Sequence, residues 1–238
     1  ALFYLELFLP TLMFPEEHDR GFRLWFEELI GIWDACEINP TWESNLVGLF
    51  SRLAADCKGF VDWQPYMSKI FTRVLRSVNL PVGTGNLRIT QNHNSYEPVP
   101  TAVWLANMLG GSSSTQAHLN KLFNALESFY HPSNYGRWNT KLLKLLRKLP
   151  FHIVKRVHKE RYRRSSWEPA VPESARLTDA DITQFVGGIM SIASLAMFNK
   201  VGSMESSAAL QSLAMLRPEI VIPPLLDKTY PALETLTE

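Results

Sequence analysis

The sequence predicts an all-α protein built from consecutive short helix pairs, and three observations carry that reading. Apolar residues recur at helical spacing along most of the chain, turn residues interrupt them at short intervals, and no stretch alternates with the period of two that a half-buried strand requires. About ten helices of two to five turns fit between the breaks. Helix pairs recurring at roughly 40 to 47 residues are the mark of HEAT and armadillo repeats. The expected architecture is therefore one continuous HEAT/armadillo-like solenoid segment over residues 1–238, its helices in antiparallel pairs. A single large helical bundle shares this periodicity and is the structural alternative.

Each element has its own signal. The opening run ALFYLELFLP at 1–10 is apolar but lacks the basic leading region and small-residue cleavage site of a signal peptide, so it reads as a buried helix. After a break near Pro40, Trp42, Leu46, Leu49, Phe50 and Leu53 share one helix face. A break near Gly59 follows, and Met67, Ile70, Phe71, Val74, Leu75 and Val78 then form the clearest stripe in the chain, with Pro65 in the first turn, where its missing N–H costs nothing. Residues 81–100 are rich in Pro, Gly and Asn and are expected to form a surface loop between helix pairs. Beyond the GGSSS turn at 110–114, Leu119, Leu122, Phe123, Leu126 and Tyr130 mark a further helix. Later breaks are expected at Pro132, at Pro150, across 169–172 and near Gly202. Thr178 and Asp181 resemble a capping box, with Asp in place of the usual Glu, opening a helix through Ile182, Phe185, Val186, Ile189 and Leu195. Ile220, Val221, Ile222, Leu225 and Leu226 are expected to be buried in the last pair.

Composition narrows the function classes. With 46% hydrophobic and 20% charged residues, the chain can bury a core. Its 24 Lys and Arg against 23 Asp and Glu leave a formal charge of +1, so no whole-protein field steers it toward nucleic acid or membrane. Cys36 and Cys57 are too few for a disulfide framework and suit a reducing compartment, where both are expected to be buried and inert. No uncharged apolar run approaches the roughly 20 residues that span a bilayer, so no membrane partner is expected. The absence of an initiator Met, and an ending in mid-pattern, lead us to read both ends as cuts.

Catalytic signatures are missing. Gly83-Thr84-Gly85 follows no strand and carries no phosphate-loop lysine, so it reads as plain loop. The six histidines show neither HExxH nor Cys/His ligand spacing, and no nucleophile elbow occurs, so no catalytic residue, metal site or required cofactor is expected. Glu16-Glu17 and Glu27-Glu28 diverge on a helix and read as solvated faces.

One stretch stands apart. Between 137 and 164, Arg137, Lys141, Lys144, Arg147, Lys148, Lys155, Arg156, Lys159, Arg161, Arg163 and Arg164 face the single acid Glu160, so the rest of the chain is net acidic. Arg137, Lys141, Lys144 and Lys148 share one helix face, and Lys155, Lys159 and Arg163 another. With Leu142, Leu145, Leu146 and Leu149 opposite the first stripe, the pattern predicts a basic helix pair hinged at Pro150 whose two cationic stripes converge. These seven cations are the anion-binding candidates. A compact polyanion suits them better than duplex or single-stranded nucleic acid, which would call for a docking motif or more aromatic partners than Trp138, Phe151 and Tyr162. A solvated face is the plainer alternative.

Several strings resemble one family along most of the chain. In the C-terminal half these are FYHPSN at 129–134, GRW at 136–138, HKERY at 158–162, LTDAD at 177–181, LRPEIVIPP at 216–224 and YPALETLTE at 230–238; in the N-terminal half, GFRLWFEELIG at 21–31 and IFTR at 70–73. They are similar to the large HEAT-repeat proteasome activators, the proteasome activator complex subunit 4 family, and to a segment from their N-terminal part. The resemblance implies a non-enzymatic scaffold within a dome that caps the 20S proteasome core particle and admits peptides and acetylated histones without ATP or ubiquitin. It further implies residence in nucleus and cytosol, links to DNA repair and spermatogenesis, and a dome that binds inositol phosphates. The gate-opening tail and the acetyl-lysine-recognising region of that family have no counterpart in these strings, and none of its functional residues maps onto a position here.

Overall fold

A computed structural model describes residues 8–35, 40–81, 96–111, 113–134, 136, 138–162, 166–198 and 202–234. Among the described residues are nine α-helices and no strand: α1 (Phe26–Ala35), α2 (Pro40–Asp56), α3 (Met67–Ser77), α4 (Pro98–Met108), α5 (Thr115–Leu126), α6 (Asn139–Tyr162), α7 (Asp179–Ala196), α8 (Ser203–Leu216) and α9 (Pro218–Glu234). Short 3-10 turns lead into or out of several of them. Cys36 and most of the 81–100 loop lie outside the described residues.

Packing identifies the architecture. Helices α2, α4, α6 and α8 lie side by side in one layer, while α3, α5, α7 and α9 form the other. From α2 onward each helix therefore rests on the helix two places along the chain, and the chain crosses between layers at every turn. That quasi-one-dimensional pattern belongs to a helical-repeat solenoid rather than to a bundle closed around one axis.

Local chemistry accounts for the elements. The capping box forms as expected: the Thr178 hydroxyl accepts from the Asp181 N–H, and the Asp181 carboxylate accepts from the Thr178 N–H at 2.9 Å. Trp33, Phe50, Trp63 and Trp104 lock α1, α2 and α4 together, with ring centroids 5.4 to 6.3 Å apart and mostly edge to face. Helix α4 is apolar almost all round because it sits between α2 and α6.

Three expectations are corrected. The loop ends at Glu97, because Pro98 takes the first position of α4, where proline is pre-organised for a helix. The basic segment is not a hinged pair: α6 runs unbroken through Pro150. Proline costs one backbone bond there, but Pro150 is itself buried, as are Leu145, Leu146, Leu149 and Ile153, and packing against α4 and α8 holds the helix. Of the five residues expected to be buried in the last pair, only Val221 is fully buried; Ile220 and Leu225 are half-buried, and Ile222 and Leu226 are exposed, because α9 has neighbours on one side only among the described residues.

Candidate functional site: the basic face of helix α6

The unbroken helix changes how the candidate lysines relate. At 3.6 residues per turn, Lys141, Lys144, Lys148, Lys155 and Lys159 fall within an arc of about 60° and extend about 27 Å along the axis. They form one long stripe instead of two converging ones. Arg137 and Arg163 lie outside the described residues.

Neighbours divide the stripe. Lys141 is half-buried and donates to the Ser77 carbonyl at the end of α3, and that burial lowers its pKa. Lys159, at the other end, is paired with Glu168. Lys144 and Lys155 are exposed, as is Arg147, and Lys148 places its ammonium 5.5 Å from the Phe151 ring centroid. These four cations make no ion pair with a described acid, so Lys144, Lys148 and Lys155 on the stripe, with Arg147 beside it, are the ones free to meet a ligand.

Arg156, by contrast, is structural. It is buried and donates to the carbonyls of Ala106 and Leu109 at the end of α4, to Ala175, and to Glu160. The guanidinium thus serves three backbone acceptors and a carboxylate, closing the edge where three connections meet. Sequence spacing alone could have flagged it, since Arg156 and Glu160 stand at i and i+4 with the stripe's only acid. Arg161 is likewise engaged: with Arg217 it binds Asp179 at the head of α7, drawing that carboxyl below its usual range through hydrogen bonds and charge.

Beside this edge lie two cavities. One, of about 330 Å³, is lined by Gly59, Asn107, Gly110, Gly111, Arg156 and Ala175. The other, of about 360 Å³, is lined by Leu12, Phe60, Lys159, Glu168, Val171 and Arg176. Lys58 borders both. Its buried ammonium bonds the Ala55 carbonyl, and desolvation, with Lys159 and Arg156 nearby, lowers its pKa to about 8. Cys57 is buried next to it, its thiol against the Thr11 carbonyl at 3.0 Å, and burial followed by the Asp56 charge pushes it up to about 11.

Fold and site together define a HEAT-type repeat scaffold that displays one cationic helix face. The family profile described as "Proteasome activator complex subunit 4, mid HEAT repeats region" matches residues 119–238. This chain belongs to that family. It is 56% identical to proteasome activator complex subunit 4 of Xenopus laevis and 54% identical to that of Homo sapiens, in each case over 100% of this chain and 13% of the relative. Proteasome activator subunit 4 of Arabidopsis thaliana is 28% identical over 98% of this chain and 13% of its own length. The chain thus spans about an eighth of the curated relatives it matches.

Proposed function

We propose that this chain is a scaffold segment of an activator that caps the 20S proteasome core particle and promotes degradation of peptides and acetylated histones without ATP or ubiquitin, in nucleus and cytosol. The supporting observation is similarity along the whole of this chain to proteasome activator subunits of which it spans 13%, borne by a two-layer helical-repeat solenoid. The segment performs no chemistry itself; it holds the curvature of a wall. Links to DNA repair and spermatogenesis belong to the same reading. The test is affinity capture of core particles by the whole protein containing this segment, followed by peptide hydrolysis without nucleotide. Capture with faster hydrolysis is expected. No capture at low salt would overturn the reading.

A second reading concerns the α6 face. Lys144, Arg147, Lys148 and Lys155 form an unpaired cationic patch that suits a polyanion, with inositol phosphate the first candidate. A compact ligand reaches only part of the stripe, so we expect modest, strongly salt-dependent binding, since charges are screened beyond about 8 Å at physiological ionic strength. Calorimetric titration of inositol hexakisphosphate into the chain and into a Lys144→Glu, Lys148→Glu, Lys155→Glu variant tests it. Equal heats from both proteins would reduce the patch to a solvated face.

A further inference from the structure

We propose that the outer face of the layer formed by α6 and α8 docks an acidic helical segment of a partner protein, anchored by apolar side chains. The inference rests on the anion-binding reading of α6 and names the partner.

Two helices build the surface. Gly202, which caps the start of α8, packs directly against the Leu143 side chain near the start of α6. At the other end, Arg161 of α6 and Arg217 just past α8 both bind Asp179. The helices therefore run the same way and level with one another. Their outward rows carry Lys144, Arg147, Phe151 and Lys155 on α6, and Met204, Ser207, Gln211 and Met215 on α8.

Charge alone does not describe this face. Phe151 is 48% exposed at the centre of the basic patch, and Met204 and Met215 are 73% and 68% exposed on the neighbouring helix. Measured from the level of Leu143 and Gly202, Met204, Phe151 and Met215 stand at about 3, 12 and 20 Å along the axis at 1.5 Å per residue. Apolar side chains at i, i+7 and i+11 of a partner helix match that spacing on one face. Acidic residues on its flanks would meet the four unpaired cations, and the α8 row between the methionines holds no acid. Helix docking onto adaptable, methionine-bearing surfaces is a recurring recognition mode. Single-stranded nucleic acid fits less well, because thioethers offer no ring for successive bases to stack on.

The test is fluorescence anisotropy with a labelled helical peptide of about 16 residues, long enough to cover the three anchor levels, with Leu at i, i+7 and i+11 and Glu on both flanks. It is titrated into the chain, into Phe151→Ala and Met215→Ala variants, and into the charge variant above, each with retained helicity. Inositol hexakisphosphate and oligothymidylate are titrated in parallel. Both apolar truncations should weaken the peptide by about tenfold, as central anchors do, and be mirrored by a peptide with Ser in place of Leu, while Met215→Ala, which touches none of the four cations, should leave inositol hexakisphosphate binding unchanged. Peptide binding indifferent to Phe151 and Met215, or tighter Phe151-dependent binding of oligothymidylate, overturns the inference while the anion reading stands. No binding of any probe removes both.

Discussion

Arg156 and Glu160, one turn apart on α6, form a 2.6 Å ion pair with side chains only 2% and 3% exposed. The second carboxylate oxygen accepts the Leu177 N–H, so the pair also pins the segment that enters α7. Removing one partner strands the other charge away from water, which costs about 3 to 5 kcal/mol. Glu160→Ala should therefore lower the urea midpoint sharply without changing the slope. An unchanged midpoint would mean that water reaches the guanidinium.

Lys58→Met should stabilise the protein. Burial, aided by Lys159 and Arg156, lowers the lysine to about 8 from an ordinary 10.5. Between those values the unfolded chain holds a proton that the folded chain has released, so folding grows more favourable as pH rises through that window. Below it, the folded protein bears a poorly solvated ammonium. We expect the substitution to add on the order of 1 to 2 kcal/mol at neutral pH, allowing for partial hydration, and the advantage to vanish by about pH 10.5. Thermal melts across pH 7 to 11 read this directly.

His152 should make the fold acid-sensitive. Burial, then Lys155 and Lys148, lowers its pKa to about 4 from 6.5. The unfolded chain gains the proton first as pH falls, so the stability tied to neutral His152 is complete above about 6.5 and is lost toward 4. His152→Gln should flatten the dependence of the melting temperature on pH between those values; the same slope in both proteins would assign it to other groups.

Gly59→Ala should destabilise by about 2 kcal/mol or more, the cost of a non-glycine residue held in strained backbone. Gly59 has φ +78°, and an added methyl would stand 2.4 Å from the Ala175 side chain. Since Ala175 also supplies an acceptor to Arg156, the insult should propagate to the Glu160 pair. The effects of Gly59→Ala and Glu160→Ala should accordingly fail to add in a double-mutant cycle.

Sequence by itself determined the helical class, the capping box at Thr178, the stripe of α3 and the existence of a basic stretch, because each depends on spacing within one element. Family likeness was legible in the same way, through long strings such as the one at 216–224. The structure alone decided which cations are available. Arg156, Lys159 and Arg161 look the same in sequence as Lys144, Arg147 and Lys155, yet they are held by Glu160, Glu168 and Asp179. Tertiary packing also carried α6 through Pro150, since burial of Leu145, Leu146, Leu149, Pro150 itself and Ile153 outweighs one lost backbone bond. Likewise it set Phe151 on the same outward face as Met204 and Met215, residues far from it along the chain. Helical periodicity reports which side of a helix is apolar, whereas partners, burial and neighbouring faces depend on contacts that only the assembled layers create.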